Sequence, residues 1–108
     1  MLSDLAIEYF NAFGKSDILR IKKCLSDDVS LRDWSLDASG IESVLNVYAN
    51  IFKSLSEVVV DVVNLYETEP TVVAELIITA KEVGSIKVVD ILSFDQYGKI
   101  CSIRAYKG

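Results

Sequence analysis

The sequence contains no histidine. That excludes a Ser-His-Asp triad, a Cys-His dyad and any histidine-bearing zinc site. General acid or base chemistry therefore falls to carboxylates, tyrosines, lysines or cysteines. Proline occurs once and glycine five times, which excludes collagen-like and low-complexity chains. The two cysteines, Cys24 and Cys101, show no short metal-binding or redox spacing, and they are expected to be reduced, buried thiols. Basic residues are outnumbered, 11 against 16 acids, for a net charge of −5. A chain of that sign offers no general basic face to nucleic-acid phosphates or to an anionic membrane surface. No stretch approaches the roughly 18 apolar residues of a membrane span. The opening MLSDLAIEYF carries no basic leader, does not read as a secretory signal and leads us to expect a cytoplasmic protein.

What is present forms a core: 51% of residues are hydrophobic and 25% charged. That balance predicts one folded domain over residues 1–108, with no linker or repeat. The pattern divides into a helical first half and a strand-rich second half, the signature of an α+β domain with helices on one face of an antiparallel sheet. Leu5, Ala6, Tyr9, Phe10 and Phe13 recur at helical spacing, with Ser3 as the expected cap and Gly14 as the stop. Ser16 or Asp17 can cap a short second helix carrying Ile18, Ile21 and Cys24. Val29 to Trp34 alternates as a short strand. Ser39 and Glu42 read as a capping box that opens a third helix through Val44, Tyr48 and Phe52. From Val58 onward β-branched residues dominate. Four strands are predicted, Val58 to Glu67, Thr71 to Lys81, Ser85 to Phe94 and Ile100 to Tyr106, giving the order α-α-β-α-β-β-β-β.

Period-two reading of the strands singles out two carboxylates. Asp90 shares a face with Ile86, Val88, Leu92 and Phe94. Asp33 shares a face with Val29 and Leu31. A carboxylate on an apolar face must find donors, line a pocket or become protonated, because burying it charged and alone costs several kcal/mol. Two carboxylates facing one apolar cavity form a recurrent acid/base arrangement, since their environments drive their pKa values apart. Tyr9, on the apolar face of the first helix, is a candidate phenol donor. It and Tyr48 also fit a purely structural role in the core.

The run Val88-Val89-Asp90-Ile91-Leu92-Ser93-Phe94-Asp95-Gln96-Tyr97-Gly98-Lys99-Ile100 resembles a strand, turn and last strand of nuclear transport factor 2-like domains. Leu25 to Asp33, and Gly40-Ile41-Glu42 ahead of a helix bearing Tyr48, continue the likeness along the whole chain. Within that superfamily the sequence is most similar to ketosteroid isomerase and the SnoaL-like polyketide cyclases. The resemblance implies a cone, a strongly curved antiparallel sheet packed around a long helix. It places Asp33 as general base, with Tyr9 and a protonated Asp90 as oxyanion donors and Tyr48 in their supporting network. The expected pocket wall includes Tyr48, Val88, Leu92 and Ile103. Departures are visible: Leu25 replaces a network tyrosine, the stretch from Trp34 to Ser39 is short, and Lys107 replaces an aromatic pocket residue.

The function so implied is proton transfer next to a carbonyl in a small apolar molecule, an isomerisation or a cyclisation. A non-catalytic ligand-binding or dimerisation module of the same fold is the alternative. No metal or organic cofactor is implied. Ile100, Ser102, Arg104 and Tyr106, beside Val89 and Ile91, make the outer sheet face apolar, which predicts a homodimer through it.

Overall fold

The computed structural model describes all residues, Met1–Gly108. The elements run α1 (Leu2–Gly14), α2 (Ile18–Cys24), β1 (Leu25–Arg32), β2 (Asp37–Ser39), α3 (Ile41–Ser54), β3 (Val59–Thr68), β4 (Thr71–Ala80), β5 (Gly84–Phe94) and β6 (Ile100–Lys107). One six-stranded sheet has the order β2-β1-β6-β5-β4-β3. Short turns make β3 to β6 an antiparallel meander. The one parallel pair is β1 with β6, so the sheet is mixed where a wholly antiparallel one was expected. The chain travels through α3 and the meander before β6 returns beside β1, and that long path permits the parallel pairing.

The apolar phases lie where period two places them. Val72, Ala74 and Leu76 of β4 are buried, as are Val88, Leu92 and Phe94 of β5. Both α1 and α3 cover this inner side: α1 crosses β3 and β4, while α3 packs on β1 and α2. An aromatic cluster joins the two helices, with Phe13 5.1 Å from Phe52 and 5.9 Å from Tyr48 between ring centres.

Several local expectations need correction. Ser3 does not cap α1: its N–H and hydroxyl both donate to the Glu67 carboxylate, at 2.8 and 2.7 Å. Ser39 and Glu42 form no capping box, because Ser39 pairs with Ser30 in the β1–β2 ladder and Gly40, at φ +88°, takes the cap position. Asp17 does cap α2, accepting from the Arg20 N–H. The strand expected from Val29 starts at Leu25 and ends at Arg32, and β2 went unforeseen because three residues are too few to show alternation. Cys24 and Cys101 are free but only half-buried. Ile100 does not face outward. The β5–β6 register shifts by one residue, pairing Phe94 with Ile100 but Ser93 with Ser102. Cys101 is the extra residue, and the slip lets both Ile100 and Ile103 turn into the core.

Candidate functional site

The inner face of β5 carries Asp90 between Val88 and Leu92. Its cross-strand neighbours are Ala74 on β4 and Ala105 on β6. The one-carbon side chain of Ala105 borders, with Asp90, a cavity of about 270 Å³. Seventeen of the twenty lining residues are hydrophobic; the others are Asp33, Ser35 and Asp90. Asp90 is 8% exposed, and its carboxyl is pushed up to about 7. Burial is the larger cause and the charge of Asp33 the smaller. No lysine or arginine lines the cavity to oppose them.

Asp33 reaches the same cavity from the turn that follows β1. It continues the inward phase of Val29 and Leu31, one residue past the end of the ladder. Its Oδ1 accepts from the N–H groups of Ser35 and Leu36, each at 2.7 Å, and more distantly from the Ser35 hydroxyl at 3.4 Å. These bonds form a side-chain-closed turn. They leave Oδ2 open.

Tyr9 of α1 and Tyr48 of α3 are both buried, line the cavity and hydrogen-bond to each other through their hydroxyls. Burial first, then neighbouring negative charge including Asp90, holds the Tyr9 phenol well above its ordinary range. Burial does the same to Tyr48, partly offset by its hydrogen bond with Tyr9. Both therefore stay protonated and act as donors. One phenol proton is used between them, and the other is free for a ligand.

Val88 and Ile103 line the cavity as expected. Leu92 does not: it is fully buried in the core, packed among other side chains. The sequence reading missed Phe13, Trp34, Leu36, Ile51, Val83 and Ala105. Trp34 and Leu36 follow Asp33 directly, which was a usable signal. Ala105 had one as well, since it shares the inward phase of Ile103 two residues before it; Val83, in the turn between β4 and β5, had none. Lys107 stands outside, its Nζ 6.0 Å over the centre of the Trp34 ring. No three His, Cys, Asp or Glu side chains gather to hold a metal ion. No helix is long and apolar enough to cross a membrane.

A family model for the SnoaL-like domain matches residues 6–103. The chain belongs to that family. No curated protein sequence matches this SnoaL-like domain. Solved structures do. A candidate SnoaL-like polyketide cyclase from Shewanella denitrificans is 17% identical, with a TM-score of 0.88 over 99% of this chain and 90% of that one. A candidate ketosteroid isomerase from Kribbella flavida is 16% identical, with a TM-score of 0.86 over 99% and 77%. SalBIII, an epoxide hydrolase/cyclase-like enzyme of pyran-ring formation in the polyether salinomycin, is 17% identical, with a TM-score of 0.86 over 99% and 90%. At such identities these likenesses establish the fold alone, an α+β fold shared with a nuclear transport factor 2-like protein from Cytophaga hutchinsonii, 18% identical with a TM-score of 0.84 over 100% of this chain and 90% of that one.

Proposed function

We propose that the cavity performs proton transfer at a carbon next to a carbonyl in a small apolar molecule, as in isomerisation or aldol-type cyclisation. Asp33 Oδ2 takes the proton. Tyr9 and the neutral form of Asp90 donate hydrogen bonds to the oxygen that becomes an enolate, and Tyr48 holds Tyr9 in line. In an isomerisation Asp33 returns the same proton to a different carbon, so atoms and charge balance with no other reactant. One observation carries the reading: two carboxylates and a tyrosine pair share one apolar cavity, and one of those carboxyls is held near 7 chiefly by burial, with the charge of the other adding to it. A volume of about 270 Å³ lies just below the range of drug-sized ligand pockets, roughly 300 to 1,000 Å³, and suits a small molecule. Cyclase- and isomerase-named neighbours of the same fold support the assignment.

The test is conversion of small β,γ-unsaturated ketones to their conjugated isomers, followed by ultraviolet absorbance. Turnover that disappears in Asp33→Asn is the expected result. Turnover that survives this substitution removes Asp33 as base. No turnover on any ketone that binds makes the cavity a binding site without chemistry.

We further propose that two copies pair through the outer sheet face. Val89 and Tyr106 are cross-strand partners there, 36% and 57% exposed. With Val63 and Ile77 they line a groove of about 460 Å³. Exposed apolar side chains grouped on one face favour burial against a partner.

A further inference from the structure

The mouth of the cavity is apolar and open. Trp34, Leu36 and Val83 line it while remaining 49%, 39% and 50% exposed. Large apolar side chains held half in water around a concave site mark a surface that a ligand covers. Trp34 differs from the other two in how it is held. It sits inside the turn that the Ser35 and Leu36 N–H groups close on the Asp33 carboxylate, so its backbone is tied to the base. Lys107, at the end of β6, places Nζ over the indole face. A cation at that distance is attracted to the ring. The indole is thus braced by a charge outside the cavity while other parts of it line the interior.

We propose that Trp34, braced by Lys107, is the specificity-determining wall of the site and selects flat, uncharged, unsaturated rings. The inference rests on the proton-transfer reading and names the substrate class for it. A flat ring stacks offset against an indole, whereas a puckered one meets it only at edges. An anion is disfavoured because the lining holds two carboxylates and no lysine or arginine. Away from the Tyr9 and Asp90 donors, a ligand's carboxylate finds an apolar lining and no counter-charge. The wall also has a bearing on rate. Moving a double bond into conjugation with a carbonyl flattens the ring, so stacking strengthens along the reaction and favours the enolate-like state over the starting ketone. Lys107 touches no substrate in this scheme; it is a positioning residue.

The chain has a single tryptophan, so its fluorescence reports this wall alone. The probes are 2-naphthol, flat and neutral; 2-decalol, puckered and neutral; and 6-hydroxy-2-naphthoate, flat and anionic. Each is titrated into the whole protein with calorimetry beside Trp34 emission. Naphthol is expected to bind at least about tenfold more tightly than either of the others, a difference of about 1.4 kcal/mol. Trp34→Leu is expected to bring naphthol and decalol to within about twofold of each other by weakening naphthol. Lys107→Met is expected to shift the emission maximum of the free protein and weaken naphthol several-fold, with the pH profile of turnover unmoved. A preference that survives Trp34→Leu, naphthoate binding as tight as naphthol, or no naphthol binding overturns the proposal. Asp33→Asn separates it from the reaction. Preference retained with no ketone ever turned over leaves the wall standing and the chemistry wrong. Asp33-dependent turnover with no preference leaves the chemistry standing and the wall wrong.

Discussion

Asp90 on β5 and Asp33 in the turn after β1 face one cavity, and the charge of Asp33 adds to burial in holding the Asp90 carboxyl at about 7. The carboxyl proposed as base thereby helps keep the proposed donor neutral. This coupling has measurable consequences.

The first is a dependence of stability on pH. The folded-state value of Asp90 lies above the ordinary 3.8, so between 3.8 and about 7 the native state binds more protons than the unfolded chain. Stability contributed by this group is complete below the lower value, falls as pH rises through the window and stays reduced above it. The gap corresponds to roughly 4 kcal/mol at full extent. Asp90→Asn, which mimics the neutral acid, is expected to be stabilising by about 1 to 4 kcal/mol at pH 8 and by roughly a third as much at pH 5, where only part of the window has been crossed. Denaturant melts at the two pH values measure this, and an Asn variant destabilised at pH 8 contradicts it.

Activity is expected to fall as pH rises through about 7, because the Asp90 carboxyl then loses the proton it donates. The decline should reach about tenfold per pH unit in kcat/KM. Asp90→Asn keeps a donor at every pH and flattens that limb. A limb that persists in the Asn variant belongs to another group.

Asp33→Asn tests the coupling directly. The Asn carbonyl oxygen still accepts from the Ser35 and Leu36 N–H groups, so the turn is retained. Turnover is expected to drop by about 10² to 10⁴, the usual contribution of a positioned general base. The Asp90 carboxyl is expected to titrate lower than in the parent protein yet still above 3.8, since burial remains the larger cause. Carboxyl-carbon NMR reads it. Asp33→Ala loses the turn as well and should also disturb Trp34 emission.

The Tyr9–Tyr48 bond is expected to couple the two residues in a double-mutant cycle with Phe. A buried hydrogen bond between neutral groups contributes about 0.5 to 1.5 kcal/mol. Tyr9→Phe is further expected to weaken naphthol binding, whereas Tyr48→Phe is expected to weaken it less. Equal losses indicate that the ligand meets both hydroxyls.

Val89→Lys, on the outer sheet face, is expected to convert a dimer to a monomer in light scattering without loss of secondary structure. A parent protein that is monomeric at tens of micromolar excludes the pairing.

Much of the fold was legible in the sequence because its signals are local. The β-branched tracts, the short gaps between them and the alternation around Asp90 depend only on a residue's neighbours along the chain. The spacing of Tyr9 and Tyr48 likewise places each on a buried helix face. The capping of α1 and α3 was misread because Ser3 and Ser39 have partners across the molecule, in Glu67 and in the β1 ladder. Ile100 was placed outward because one extra residue, Cys101, reverses the phase, and a bulge leaves no mark in composition.

By itself the sequence determined an acidic, histidine-free α+β chain with two carboxylates on apolar strand faces. Composition and period two suffice for that, as both are properties of short segments. Only the tertiary structure decided that Asp33, Asp90, Tyr9 and Tyr48 share one cavity, that Ala105 borders it beside Asp90, and that Leu92 is shut away from it. Those relations join residues on different elements. They arise from sheet register and curvature, which the whole set of strand pairings sets together.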